Sequence, residues 1–461
     1  MKDEESAQYD VVILGGGSGG YATALRAAQL GQSVALVEAD QLGGTCLHRG
    51  CIPTKSLLHS AHVADQVREA AQYGVLAELQ GLDITAMHKH KDRVVSRMHK
   101  GLRSLLSARD ITVIPGRGTV VGQNAVSVND TLLRGRHLVL ATGSRSRSLP
   151  GVHIGGRVIT SDQALAMDWI PRSAIVVGGG VIGVEFASLW RSMGVDVTVL
   201  EALPRLIAGE DESMSTALER AFGKRGITVR TGVKTERIED QERHAQVTLE
   251  DGSELTAEVV LMAVGRDPVT SPADTERAGV KLQDGFIQVD DRQRTTAESI
   301  YAVGDLVAGP QLAHRAFAHG IFVAEDIAGL EPRPVPAEAI PRITYSAPEV
   351  AAVGLTEQQA RDRLGDDAVR TVEYSLTGNA RTQIQGGRGM VKYVQQADGP
   401  IVGVHAIGPG VGELIGEAQL MVGWQAYPED VAPLVHAHPT QNESLGEAAL
   451  ALAGKPLHSN H

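Results

Sequence analysis

Two cysteines stand in a chain of 461 residues, and they lie only five positions apart, in Gly43-Gly-Thr-Cys46-Leu-His-Arg-Gly-Cys51-Ile-Pro-Thr-Lys55. Two thiols this close point to redox or metal chemistry more readily than to two small core residues. A structural zinc site needs further ligands at regular spacing. The chain has no third cysteine, and His48 alone cannot complete such a site. The remaining chemistry is a disulfide that opens and closes. Apolar residues and alanines from Ser56 to Ala71 read as a helix, so the cysteines lie at or near a helix N-terminus. There the helix dipole lowers the pKa of a thiol.

Dithiol chemistry also needs a base, because a free thiol has a pKa near 8.5 and is mostly protonated at neutral pH. The segment His436-Ala-His438-Pro-Thr-Gln-Asn-Glu443 offers imidazoles, the side chains best able to take such a proton. A carboxylate five residues on can orient the second ring nitrogen, as in other nucleophile–base–orienter arrangements.

These groups must be held by larger elements, and the chain repeats one of them. The apolar strand Tyr9–Leu14 runs into Gly15-Gly-Gly-Ser-Gly-Gly20, and Ser173–Val177 runs into Gly178-Gly-Gly-Val-Ile-Gly183. Both match G-x-G-x-x-G. The match continues at one constant offset: Gly15, Gly31 and Glu38 correspond to Gly178, Gly194 and Glu201. Helices are expected at 21–30 and 184–193, and second strands at 33–37 and 196–200. In this motif the first glycine permits a tight turn, the second lets backbone approach a pyrophosphate, and the third lets helix and strand pack closely. The helix N-terminus offers unpaired N–H groups to the phosphates. Glu38 and Glu201, each ending a second strand, can hydrogen-bond a ribose diol. Gly15, Gly17, Gly20 and Glu38 thus mark one dinucleotide site, and Gly178, Gly180, Gly183 and Glu201 a second. A carboxylate at 201 repels a 2′-phosphate, so the second site reads as NAD rather than NADP. Arg205 nearby is isolated and reads as a solvated surface residue.

The composition agrees. The length suits about three domains. Aromatic residues make up 3% and glycines number 52, a balance that favours an α/β enzyme over a β-sandwich. The formal charge of −12 disfavours nucleic acid and anionic membrane as partners. Residues 1–9 lack the basic and apolar regions of a signal peptide, and the apolar runs are far too short to span a bilayer. A cytoplasmic location is expected. The run His88-Lys-His-Lys91, with His99 and Lys100, reads as a solvated helix face rather than a metal or anion site.

The segment Gly-Gly-Thr-Cys-x4-Cys-Ile-Pro-Thr-Lys closely resembles the redox signature of the pyridine nucleotide–disulfide oxidoreductases, and the resemblance covers nearly the whole chain. It implies an α/β fold with two Rossmann-like dinucleotide-binding domains plus a C-terminal α+β dimerisation domain. The expected division is residues 1–150 and 271–340 for FAD, 151–270 for NAD, and 341–461 for dimerisation. The resemblance makes Cys46 and Cys51 the redox disulfide, His438 the base and Glu443 its partner, leaving His436 a structural role. Lys55 would lie near the flavin and pair with Glu185. Leu138–Ser144 resembles the Ala-Thr-Gly crossing between nucleotide domains, which places Thr142, Gly143 and Ser144 at FAD; Val259–Arg266 repeats it and places Gly265 at NAD. Thr296–Asp305 resembles the second FAD fingerprint, with Asp305 accepting from a ribitol hydroxyl. Gln311-Leu-Ala313-His314 follows beside the flavin. The chain departs from the family at Phe317-Ala-His319, where an acidic residue is common, and at Gln441-Asn442. His314 and His319 read as satisfied helix histidines.

The implied reaction is oxidation of dihydrolipoamide carried on a lipoyl domain, with electrons passing through FAD to NAD+. The implied partners are a second copy, whose Cys pair would meet His438 and Glu443, and a 2-oxo acid dehydrogenase complex. A glutathione- or mycothione-type disulfide reductase is the alternative within the family; those mostly use NADPH, which Glu201 disfavours.

Overall fold

The computed structural model describes residues 7–458. They divide into two compact units. The first holds the described residues through Leu57, with Asp83–Arg147 and Arg266–Val335; the second holds Leu58–Leu82, Ser148–Gly265 and the described residues from Pro336.

In the first unit, strand Ala7–Leu14 sits in the middle of a parallel set, with Val34–Glu38 and Thr112–Pro115 on one side and Thr131–Leu140 on the other. Ile300–Ala302 returns from far along the chain to run parallel to Thr131–Leu140. A short antiparallel pair, Thr119–Gly122 and Ala125–Val128, completes the sheet. Central strands are apolar on both faces because both are covered, one by helices Ser18–Gln29, Ile84–Ser107 and Ala313–Ile327 and the other by the antiparallel pair and residues 278–307: Val11, Val12, Ile13, Leu36 and Val139 are at most 1% exposed. The chain order, third, second, first, then onward, is that of a doubly wound dinucleotide-binding sheet.

The second unit repeats this order. Thr228–Arg230, Asp196–Leu200, Ser173–Val177, Val259–Met262 and Val158–Thr160 form five parallel strands. A three-stranded antiparallel sheet (Thr235–Asp240, Ala245–Leu249, Glu254–Ala257) follows. The C-terminal part is a five-stranded antiparallel sheet in the order Arg342–Thr344, Glu349–Gly354, Ile401–Gly408, Met390–Gln396, Val369–Ser375. Helices Val411–Gly423 and Glu443–Leu452 bury Leu414, Ala418, Leu445 and Ala448 against it. The expected fold class is thus the observed one.

Several boundaries differ from the sequence reading. The helices after the glycine loops are Ser18–Gln29 and Val181–Ser192, each starting three residues earlier than expected. Glycines are poor helix formers, but here Gly17 and Gly180 are the N-caps and the following residues, Gly19, Gly20 and Gly183 included, are helical. The expected helix at 56–71 starts earlier, as Cys51–Glu69, and a separate short helix, Gly44–Arg49, precedes it, the two broken at Gly50.

Candidate functional site

The break at Gly50 creates the cysteine site. A side chain there would meet the Thr45 carbonyl at 3.0 Å and Cys46 Cα at 3.3 Å, so glycine favours this tight back-fold. Thr54 secures the start of the longer helix, its hydroxyl donating to the Gly50 carbonyl at 2.6 Å. Cys51 therefore opens the Cys51–Glu69 helix beside Cys46, and both are free thiols in this structure. Lys55 lies one turn beyond Cys51, on the same face, and its charge favours the Cys46 thiolate.

The sequence suggests a thiol pKa lowered by a helix dipole. Cys46 instead is pushed up, first by its hydrogen bond with Cys51, then by burial and by the charge of Cys51, against the pull of Lys55. Two half-buried sulfurs in contact do not readily carry two negative charges. Tyr21 feels the same charge: burial and Cys46 together push its phenol up to about 12, so it stays protonated. Sequence reasoning missed Tyr21 because the contact joins two separate segments. It named His48 and His99 but not their contact. His48 Nε2 lies 2.9 Å from the Leu42 carbonyl, and its ring meets that of His99 edge-on at 5.0 Å. His99 is thus half-buried rather than on a solvated face; Lys89 and His90 are exposed as expected, and Lys91 folds over Asp92. No cluster of three or more potential metal ligands forms among the described residues.

The two glycine loops are built alike. Gly15 and Gly178 take φ of 108° and 109°. A Cβ on Gly20 would strike the Gly15 carbonyl at 1.8 Å, and one on Gly183 the Gly178 carbonyl at 1.9 Å. Glu38 accepts the Gly16 N–H at 2.6 Å and the Asp40 N–H at 2.8 Å. Glu201 accepts the Gly179 N–H at 2.5 Å and the Leu203 N–H at 2.7 Å. Each carboxylate therefore braces its loop, a task the sequence reading did not assign. Arg205 is not a free surface cation, since it donates to the carbonyls of Ala208 and Glu210 at 2.8 and 3.2 Å.

The middle glycines test whether a nucleotide fits. Gly17 and Gly180 have ordinary φ of −72° and −76°, and their helices have no side-chain cap. A Cβ on Gly17 would touch only Gly44 Cα, at 4.0 Å, and one on Gly180 would touch nothing within that distance. Neither position needs glycine for its own packing. Open backbone in front of an uncapped helix N-terminus, at the carboxyl end of a parallel strand, fits a pyrophosphate.

Of the other expected cofactor positions, Thr142, Gly143, Ser144, Asp305 and Ala313 lie in the first unit and Gly265 in the second. Ser144–Ser146 pairs with Arg266–Pro268, and Thr142 donates to the Val269 carbonyl at 2.6 Å. Ser144 Oγ donates to Asp305 at 2.5 Å and accepts from Arg266 Nε at 2.7 Å, so Arg266 joins this group unforeseen. Gly143 and Gly265 face open space. Ala313 is the first residue of helix Ala313–Ile327. On that helix His319 is 5% exposed, with no hydrogen-bond partner at Nδ1. It is not the satisfied histidine expected, and burial and Arg315 lower its pKa to about 4. Glu185 belongs to the second unit and Lys55 to the first. Glu185 is only 3% exposed and accepts the Tyr345 N–H at 3.0 Å, so it is no ordinary surface carboxylate.

In the second unit His438 Nδ1 lies 2.8 Å from Glu443 Oε1. Glu443 opens the last helix, and its other oxygen accepts the Thr440 N–H at 2.7 Å. Burial would raise the Glu443 pKa, but the Thr440 N–H, the His438 hydrogen bond and nearby imidazole charge outweigh it and hold the group below its ordinary value. The carboxylate thus holds the proton of His438 on Nδ1, leaving Nε2 as acceptor on a side chain 72% exposed.

The model of the pyridine nucleotide-disulphide oxidoreductase family matches residues 9–320, and that of the family's dimerisation domain matches residues 340–449. The chain is 40% identical to a dihydrolipoyl dehydrogenase of Bacillus subtilis, over 98% of this chain and 100% of that one. It is 36% identical to a mitochondrial dihydrolipoyl dehydrogenase of Pisum sativum, over 98% and 93%. Among solved structures, LpdA from Mycobacterium tuberculosis superposes with a TM-score of 0.89 at 28% identity, covering 97% of this chain and 99% of that one.

Proposed function

The chain belongs to the pyridine nucleotide–disulphide oxidoreductases, enzymes that work with FAD and NAD, and from that premise we propose that it oxidises protein-bound dihydrolipoamide to lipoamide while NAD+ is reduced to NADH. The observation that carries the reading is the back-fold at Gly50, which puts two thiols in contact at the start of a helix that also presents Lys55.

In this reading residues 1–150 and 271–340 hold FAD, 151–270 hold NAD, and 341–461 form the dimer. Gly15, Gly17, Gly20 and Glu38 receive the FAD pyrophosphate and ribose, with Lys55, Thr142, Gly143, Ser144, Asp305 and Ala313 along the rest of that cofactor. Gly178, Gly180, Gly183, Glu201 and Gly265 receive NAD. FAD, when bound, supplies a two-electron relay between the dithiol and the nicotinamide.

The chain's own residues do the thiol chemistry. His438 Nε2 takes the proton of one substrate thiol, and Glu443 steadies the imidazolium that results. The substrate thiolate attacks Cys46 of the oxidised pair; a mixed disulfide forms and Cys51 leaves as thiolate, its charge met by Lys55. The second substrate thiol then displaces Cys46, its proton passing to the departing Cys46 sulfur. The substrate departs as a cyclic disulfide, and both cysteines remain reduced. Two electrons and two protons have moved from substrate to protein.

His438 and Glu443 serve the cysteine pair of a second copy. The dimerisation-domain match supports this, as do Trp424, Leu434 and Val435, which are 77%, 55% and 98% exposed in that region. Docking into a 2-oxo acid dehydrogenase complex and a cytoplasmic location belong to the same reading. Among the described residues no helix is long and apolar enough to cross a membrane.

A steady-state assay tests this. Purified yellow protein is expected to reduce NAD+ with dihydrolipoamide and to prefer NADH over NADPH in reverse. Cys51→Ser should keep FAD and lose dithiol oxidation. An unchanged rate in that variant refutes the reading.

A further inference from the structure

Glu417 lies on helix Val411–Gly423, well before the loop that carries His438, and it spends both carboxylate oxygens on that loop. His436 Nε2 lies 2.8 Å from Oε1, and Asn442 Nδ2 donates to Oε2 at 2.8 Å. His436 stands two residues before His438, and Asn442 immediately precedes Glu443. We infer that Glu417 is a positioning residue: one carboxylate pins both ends of the loop and so fixes the His438–Glu443 pair. The inference rests on the catalytic role proposed above for that pair.

The surroundings favour positioning over a chance surface contact. Among the described residues Glu417 has no lysine or arginine partner, so it is not half of an ordinary ion pair. His436 is 12% exposed and Glu417 27%. The His436 ring is wedged against the last helix, where a Cβ on Gly446 would meet its Nδ1 at 2.6 Å. That contact fixes the ring plane and directs Nε2 at Glu417. Other ties of the loop include Asn379, which donates to the Thr440 carbonyl at 2.9 Å, Thr440 Oγ1, which donates to the Ala437 carbonyl at 2.7 Å, and Gln441, which donates to the Pro409 carbonyl and to Gln385 Oε1. Glu417 alone among these ties both sides of His438 to a separate helix. Without it the two arms can drift apart, and the 2.8 Å contact between His438 and Glu443 has less to hold it.

The charged and titratable groups around the loop are His436 and His438 on it, Glu417 on its helix, Glu443 and Glu447 on the last helix, and Tyr374 and Tyr393 on the sheet. Burial, Glu447 and Glu443 push Tyr374 up to about 12, and Tyr393 is also raised, chiefly by burial and then by Glu417, so neither tyrosine ionises near neutrality. In the proposed mechanism the acid limb of dithiol oxidation reports on the thiol base. Loosening the His438–Glu443 pair withdraws carboxylate support from the imidazolium and moves the limb to lower pH.

The test compares wild type, Glu417→Ala and the isosteric Glu417→Gln as FAD-loaded dimers. Oxidation of dihydrolipoamide by NAD+ is followed across pH, beside NADH oxidation by ferricyanide, which needs no thiol base. Glu417→Ala should lose about 10- to 100-fold in kcat for dithiol oxidation, as for other misplaced catalytic groups. Its acid limb should move to lower pH while ferricyanide reduction stays unchanged. Glu417→Gln, able to accept on one side only, should fall between. In a Glu417→Ala, Glu443→Ala double variant the losses should not multiply, because both act through His438. An unmoved limb in both single variants, or losses that multiply fully, overturns the inference. Wild type unable to oxidise dihydrolipoamide would instead overturn the proposed function, a result read in the same assay.

Discussion

The two glycine loops share their strand order, their loop clashes and their bracing glutamates, yet they differ in what lies over the middle glycine. At Gly17 the cysteine segment comes down: the Gly43 N–H donates to the Gly16 carbonyl at 2.8 Å, and a Cβ on Gly44 would meet Gly17 Cα at 2.8 Å. Helix Ala313–Ile327 closes the other side, where a Cβ on Gly320 would strike the Gly19 carbonyl at 2.5 Å. At Gly180 nothing approaches within 4 Å. One sequence motif thus yields a loop flanked by neighbouring segments, though open at Gly17 itself, and one without such neighbours at Gly180. A flanked loop suits a cofactor that stays through turnover, and an unflanked loop suits a coenzyme that exchanges. In the proposed reading the motif serves phosphate binding and its neighbours set residence time.

The hardest way to break this comparison is at the third glycines. Gly20→Ala and Gly183→Ala each put a methyl within 2 Å of a carbonyl oxygen in their own loop, and overpacking of this kind costs about 3 kcal/mol. Because the first loop is flanked, Gly20→Ala should give protein that is colourless or insoluble. Gly183→Ala should give yellow, folded protein with little NAD+ reduction. Flavin absorbance and NADH turnover separate the two, and identical losses in both variants would remove the distinction.

The bracing carboxylates come next. Each accepts two backbone N–H groups, and hydrogen bonds to a charged acceptor contribute about 1.5–3 kcal/mol. Glu201→Gln should weaken NADH binding about tenfold or more and narrow the preference for NADH over NADPH, since the repelling charge is gone. Glu38→Gln should act on flavin retention and leave coenzyme preference alone. Titration of NADH and NADPH against both variants tests this; an unchanged preference in Glu201→Gln would show that discrimination lies elsewhere.

A gentler change sharpens the contrast. Gly180→Ala meets no protein atom, so thermal stability should hold within about 0.5 kcal/mol, the range of a neutral surface change. A bound pyrophosphate would meet the methyl, and the NADH dissociation constant should rise about tenfold, or 1.4 kcal/mol. An unaltered constant would mean that no ligand approaches the middle glycine.

What the sequence made legible follows from contact range. The paired loops, Glu38 and Glu201, and the His438–Glu443 spacing are local, and local patterns survive in a linear text. The roles of Tyr21, Arg266 and Glu417 are not local; each depends on segments that meet only after the sheets form. The helix starts at Ser18 and Val181 were misplaced because glycine propensity argues against helix where packing demands it. Two C-terminal strands, Glu349–Gly354 and Val369–Ser375, went unread. The first is buried throughout its last five residues and shows no alternation, so it lacks the period that marks a half-exposed strand.

The smallest expected effect concerns one flanking helix. His319 lies on the helix that packs against the first loop. Its folded pKa is about 4 against an ordinary 6.5, because burial and Arg315 oppose its charge. Between those values the unfolded chain binds a proton that the folded chain refuses. Stability must then fall as pH drops from 6.5 and level off below 4. At pH 5.5 the loss is about 1 kcal/mol, concentrated where the flanked loop is held. His319→Gln removes the titration, so its melting temperature should fall less than wild type between pH 7 and 5.5. Flavin release on acidification should slow in the same variant, while NADH affinity, set by the second loop, should not respond. Parallel melting curves for the two proteins would show that the imidazole keeps its proton in the fold and that this helix carries no such acid sensitivity.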